Sequence, residues 1–269
     1  MIPVILVHMG VSDYLQYSLK KALEKNNVIL IGDKNPNIEN NKFKFYKIDD
    51  YINEDFKKFT SLYEHLSTNP YNFELFCFLR WFLIKEFMHR ENIDVSFYID
   101  SDVMLYVDVN DEYQKKFKQY DFTLLHRTAA ISSFITINGI NNFCNLLLDT
   151  YSDKNSYKYQ KIKSHFTIRQ QYRLGGGVCD MTLLELFHYN ADDGGGPGRV
   201  GEMMVIIDDS TYDHNVNVPD QDFDFKNGIK NIQMIDGIPY VYSNKLNKLI
   251  KFNSIHFNSG AKTLMFNYF

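Results

Sequence analysis

The chain opens on a short β-branched run, Ile2–His8, and the apolar pattern then changes from strand-like to helical. Met9-Gly10 leads to Ser12, a suitable N-cap, and the spacing predicts an amphipathic helix from there to about Lys25. Val28–Ile31 reads as a second strand that closes on Gly32-Asp33. A connection of this length requires parallel strands, so the chain begins as a β-α-β unit. Asp33, at the end of the second strand, suits a ribose or base and equally suits the start of a turn. Residues 37–70 are polar and rich in Asn and Lys, with a helix predicted near Glu54–Leu66. A long helix then runs from Tyr71 or Asn72 to about Arg90, apolar nearly all round and therefore buried. Arg80 inside it needs an anion, either a structural carboxylate or a bound phosphate or sugar.

The next apolar run, Val95–Ile99, stops on Asp100-Ser101-Asp102 before Val103–Tyr106 resumes it. An unpaired charge inside a buried strand is expensive, so the two acids mark a strand end that faces a ligand. Ligands of open α/β sheets sit at the carboxyl ends of the strands, where an Asp-x-Asp is placed to hold Mg²⁺ or Mn²⁺ on a phosphate. The alternative is that the pair caps the next turn. Another acidic run, Asp220-Gln221-Asp222-Phe223-Asp224, follows Pro219 without a strand before it and reads as a solvated loop, or else a Ca²⁺ loop.

Beyond the acidic pair the pattern predicts a polar helix near Asn110–Lys118, strands at Phe122–Leu125 and Ser133–Ile137, and a helix over Asn141–Tyr151. Residues 152–173 are basic and aromatic, as a mobile lid or a solvated face would be. Gly175-Gly176-Gly177 precedes a helix that starts at Asp180, an acid where the helix dipole favours one. A second cluster, Gly194-Gly195-Gly196-Pro197-Gly198, marks a flexible loop before a strand expected at Met203–Ile207. Strands at Tyr240–Tyr242 and Lys251–His256 lead into Phe257-Asn258-Ser259-Gly260-Ala261-Lys262.

Composition narrows the classes. With 269 residues, 45% hydrophobic and 16% aromatic, the chain has material for a substantial core. A net charge of −4 argues against the broad basic surface of a nucleic-acid binder. Three cysteines without a CxxC pair suggest neither a zinc site nor a disulfide framework, which fits a reducing cytoplasm. No leader precedes the first strand, and the most apolar helical stretch, Leu75–Ile84, is too short to span a bilayer, so a soluble protein is expected. Action at a membrane surface stays open.

His256, Gly260 and Lys262 complement the acidic pair. An imidazole can complete a metal site, a glycine admits backbone amides to a phosphate, and a lysine neutralises further oxygens. With the N-terminal β-α-β unit, Phe78-Leu79-Arg80-Trp81-Phe82 and Tyr98-Ile99-Asp100-Ser101-Asp102, these pieces resemble nucleotide-sugar glycosyltransferases of the GT-A fold. The similarity is to glycosyltransferase family 8 and related bacterial polysaccharide enzymes, in that family's order and over nearly the whole chain.

The resemblance implies that Asp100, Asp102 and His256 hold Mn²⁺ or Mg²⁺ on the donor diphosphate. Lys262 would contact the phosphates and Arg80 the donor. Where the family has Asp-Gln-Asp, this chain reads Val178-Cys179-Asp180, so only Asp180 carries over, as the candidate catalytic residue: the base that deprotonates the acceptor hydroxyl if the reaction inverts, or the group that orients the acceptor or supports a cation-like sugar if it retains. The expected donor-binding set is His8, Asp33, Arg80, Asp100, Gly260 and Lys262.

The expectation is one mainly parallel α/β domain over 1–269, with residues 1–106 as the nucleotide-binding half and 107–269 as the acceptor half. It would transfer a sugar from a UDP-linked donor to a hydroxyl of a glycan or lipid-linked glycan, in the cytoplasm or at the inner face of a membrane. Two rivals stand beside it: a nucleotidyltransferase, although the His8–Asp13 loop has no Lys or Arg, and a nucleotide-sugar-binding protein without turnover.

Overall fold

The computed structural model describes residues 1–192 and 198–269, with 190–192 as backbone only. β1 (Val4–His8), α1 (Asp13–Leu23) and β2 (Val28–Gly32) form the expected β-α-β unit, with Val4 opposite Val28 in parallel register. Ile5, Val7, Ile29 and Ile31 enter one core, while Val4, Leu6, Val28 and Leu30 enter the other. Because both faces are covered, both strands read as unbroken apolar runs.

The polar stretch that follows contains an edge strand that its composition does not announce. β3 (Phe43–Lys47) pairs parallel with β2 at the sheet edge, where Phe43 and Phe45 pack on one core, Tyr46 packs on the other, and Lys44 and Lys47 are exposed. Asn53 caps α2 (Glu54–Leu62) by accepting from the Phe56 amide, and the helix stops short of the expected Leu66. α3 (Tyr71–Arg90) is buried as predicted, with Phe78, Trp81, Phe82 and Phe87 enclosed. It is followed by β4 (Val95–Ile99), parallel to β1.

β5 (Val103–Leu105) leaves that sheet for another. After α4 (Val109–Glu112), where a longer helix is predicted, the chain passes through a wider helical turn to Phe117. β6 (Phe122–Leu124) and β7 (Ser132–Thr136) return to the first sheet, β7 antiparallel to β4. Thr136 caps α5 (Ile137–Ser152) by accepting from the Gly139 amide, so the helix starts ahead of Asn141. The basic, tyrosine-rich segment is mostly a helix, α6 (Tyr157–Gln171), fastened to the core by Tyr159 and Ile162. Two buried side chains dock the segment on the core and most of its other residues are exposed, in keeping with the solvated-face alternative.

α7 (Asp180–Asp192) leads to β8 (Val200–Glu202) at the far edge of the sheet β3-β2-β1-β4-β7-β6-β8. Of the expected flexible loop at Gly194–Gly198, residues 194–197 lie outside the described residues. The strand expected at Met203–Ile207 does not form. Glu202 accepts from the backbone amides of His126, Arg127 and Met204, which ends the strand and turns the chain away.

β9 (Ser210–Tyr212) pairs with the second sheet instead. The hairpin β10 (Phe225–Lys226) and β11 (Ile229–Lys230) precedes β12 (Ile232–Ile235), β13 (Ile238–Ser243) and β14 (Lys248–His256). The order β12-β13-β14-β5 brings β14 antiparallel to β5. A closing 3-10 segment, Ser259–Tyr268, packs on α1. Among the described residues no helix is long and apolar enough to cross a membrane.

Candidate active site

The switch of β5 from one sheet to the other assembles the site. Asp100 and Asp102 form the turn between β4 and β5, and His256 lies opposite Val103 in the β5–β14 register. The Phe257 amide donates to the Asp102 carbonyl at 2.9 Å, which locks the two segments together. Asp100, Asp102 and His256 thus offer ligand atoms within 4.8 Å of one another.

Asp102 is 7% exposed, more enclosed than a strand end open to a ligand implies. Its Oδ1 lies 3.4 Å from His256 Nε2 and its Oδ2 lies 3.0 Å from Lys262 Nζ. Burial opposes its charge, but His256 and Lys262 outweigh that and hold the carboxyl down at about 2. Burial alone would lower the His256 imidazole, yet Asp102 raises it above its ordinary 6.5. His256 Nδ1 pairs with the His214 carbonyl at 2.6 Å, which fixes the ring and leaves Nε2 toward the acids. Lys262 Nζ also sits 4.5 Å from the centre of the Tyr14 ring.

Arg80 joins the other two carboxylates. Its Nη1 donates to Asp100 Oδ1 at 2.8 Å and its Nη2 to Asp180 Oδ2 at 2.6 Å. Tyr98 donates to the same Asp100 oxygen at 2.5 Å, so among the described residues Oδ2 is the oxygen of Asp100 left for a cation. Burial pushes the Asp100 carboxyl up, with Asp102 beside it adding to the rise and Arg80 opposing it. Asp180 Oδ2 also accepts from Trp81 Nε1 at 3.0 Å, and its Oδ1 accepts from the Met181 amide. The carboxylate partner that Arg80 requires is therefore present twice, in the wall of the cleft rather than in the core.

A cleft of about 680 Å³ contains His8, Arg80, Asp100, Asp102, Asp180, His256 and Lys262 in its lining. His8 Nε2 lies 3.1 Å from Ser12 Oγ, and burial lowers its imidazole, which keeps it neutral near pH 7. Asp33 and Gly260 are not among the lining residues. Asp33 accepts from the Gly10 amide at 2.6 Å and so holds the loop after β1. Gly260 is exposed, and nothing crowds the position a Cβ would take.

Sequence reasoning missed Glu74, Tyr14, His214 and Asn215, which also line the cleft. Glu74 is 2% exposed, with its carboxyl raised by burial and Oε2 unpartnered, but an acid in a first helical turn reads from sequence as a dipole partner. Burial, with His126 and His256 nearby, lowers the His214 imidazole to about 4.

Compared by sequence, the chain matches no protein-family model and no curated protein. Compared by structure, it is similar to an active-site mutant of LgtC at 9% identity, covering 99% of this chain and 95% of that one with a TM-score of 0.51. The fold is GT-A. Other similar GT-A structures include mouse xyloside xylosyltransferase 1 in its apo form, at 7% identity over 75% of this chain and 84% of that one, with a TM-score of 0.48. The galactosyltransferase LgtC with donor and acceptor sugar analogs gives 10% identity over 78% and 76%, with a TM-score of 0.40. In this GT-A fold the acidic pair sits at the carboxyl end of β4, beside the end of β1.

Proposed function

We propose that the protein is a metal-dependent glycosyltransferase that moves a sugar from a nucleotide-diphosphate donor, UDP-linked, to a hydroxyl of a glycan or lipid-linked glycan acceptor. One observation carries this reading: Asp100 and Asp102 lie far in sequence from His256 and Lys262, and all four converge in one cleft. Two carboxylates and an imidazole suit Mn²⁺ or Mg²⁺, and the Nε2 of His256 is already turned toward the acids. The chemistry such an ion supplies when bound is electrostatic, offsetting charge that develops on the leaving diphosphate.

The chain's own residues do the rest. Lys262 neutralises phosphate oxygens, and Arg80 orients the donor while it holds Asp100 and Asp180 in place. Asp180 already accepts from Arg80, Trp81 and the Met181 amide, which hold its carboxylate in one orientation. In the cleft it serves best to orient the acceptor or to support a cation-like sugar. Residues 1–106 would supply most of the donor side and 107–269 most of the acceptor side. A lipid-linked acceptor would bring the protein to the inner face of a membrane.

The test is a screen of nucleotide sugars for hydrolysis or transfer with Mn²⁺, with Mg²⁺ and with chelator. The expected result is turnover of one UDP-sugar that disappears with chelator. Turnover unaffected by chelator, or release of pyrophosphate in place of a nucleoside diphosphate, would contradict the reading.

A further inference from the structure

A second group of ligating side chains lies at the rim of the cleft, and the transferase reading does not use it. His126 comes from the β6–β7 connection, His214 follows β9, and Asp220 belongs to the loop before β10. The ligand atoms of the three lie within 4.8 Å of one another. Asp220, expected in a solvated loop, is turned inward with its side chain 9% exposed. Its Oδ1 is 2.8 Å from Lys230 Nζ, while its Oδ2 is buried without a hydrogen-bond partner. The Nδ1 of His214 is buried and unpartnered too. His126 Nε2 stands 3.9 Å from Asp220 Oδ2, and the His126 and His214 rings meet edge to face at 4.9 Å.

We propose that His126, His214 and Asp220 form a second divalent-cation site, suited to an imidazole-preferring ion such as Zn²⁺. Buried polar atoms without partners cost free energy, and one ion would satisfy both at once. Two imidazoles and one carboxylate are a zinc-type donor set with an open position, whereas Mg²⁺ and Ca²⁺ favour oxygen ligands.

The charge balance agrees. Lys230 also pairs with Asp213 at 2.8 Å, so two carboxylates surround one lysine and one negative charge is left over for a cation. A tetrahedral ion with ligands at about 2.1 Å sets its donor atoms about 3.4 Å apart. The side chain of His126 is 51% exposed and free to close that difference. Its loop is held from behind, since the His126 and Arg127 amides both donate to Glu202. An ion here would pin the 214–220 loop to the 126 turn, and that loop carries the carbonyl that orients His256.

The experiment measures Co²⁺ and Zn²⁺ uptake by equilibrium dialysis and Co²⁺ absorption, using Asp102→Asn protein to weaken the cleft cluster. His126→Phe is added on that background, because it keeps a ring against His214 and removes both nitrogens. The expected result is one bound equivalent in Asp102→Asn, with affinity lowered about tenfold or more by His126→Phe. Melting temperatures in chelator should stay alike. Equal uptake by the two proteins, or none by either at millimolar ion, would overturn the proposal and leave a His–carboxylate pair only. If the double variant fails to fold, His126→Phe alone against wild type reads the same difference as one equivalent fewer.

Discussion

At Asp102 a buried carboxylate meets a cation on each oxygen, and the consequence is a stability that depends on pH. The carboxyl is displaced from 3.8 to about 2, so its contribution is present above about 4 and lost as pH falls through about 2. His256 is displaced upward, so its contribution is present below about 6.5 and lost as pH rises through its folded value. Metal-free Asp102→Asn should therefore fold but melt lower, by roughly 2 kcal/mol near pH 5 to 6, with the gap closing toward pH 2. Denaturant titrations in chelator across that range check this; a gap that does not change with pH would contradict it.

Arg80 spans Asp100 and Asp180 with two nitrogens, and a lysine cannot make both contacts. Arg80→Lys should lose about 1 to 2 kcal/mol of stability and turnover as well, whereas an Arg80 that served the donor alone would lose turnover with little loss of stability. Unchanged melting with lower turnover would restore that simpler view. The acids, His256 and Lys262 are legible in the sequence because their chemistry is complementary. Glu74 and His214 are not, since nothing local distinguishes them from ordinary helix and loop residues.

Among the elements, the glycine cluster before α7 makes a close backbone approach to the segment before α3. Gly177 pairs with Ser67, the Val178 amide donates to the Leu66 carbonyl, and the Thr68 amide donates to the Gly176 carbonyl. A Cβ on Gly177 would stand 2.2 Å from the Leu66 carbonyl oxygen. Gly177→Ala should cost about 1 to 3 kcal/mol and displace the start of α7, where Asp180 is held. Thermal melting beside turnover tests this, and a variant as stable as wild type would refute the close approach. α3 is legible because a long run that is apolar nearly all round and free of glycine and proline reads as a buried helix. β3 is hidden by its lysines, and the strand expected after Glu202 gives way where the Met204 amide turns back to the Glu202 carboxylate.

For the whole molecule, the chain crosses from the first sheet to the second between β4 and β5, and the β5–β14 seam of the second sheet brings residues near position 100 to residues near position 260. The β-α-β opening announces the first sheet, but the pairing that joins the second is non-local and has no period to read. The central claim is that this seam builds a metal-diphosphate site. Calorimetric titration of UDP into wild type and Asp102→Asn, each with Mn²⁺ and with chelator, tests it most directly. Binding by wild type should need Mn²⁺ and should be lost in Asp102→Asn. UDP binding that is equal with and without Mn²⁺, or equal in the two proteins, would contradict it.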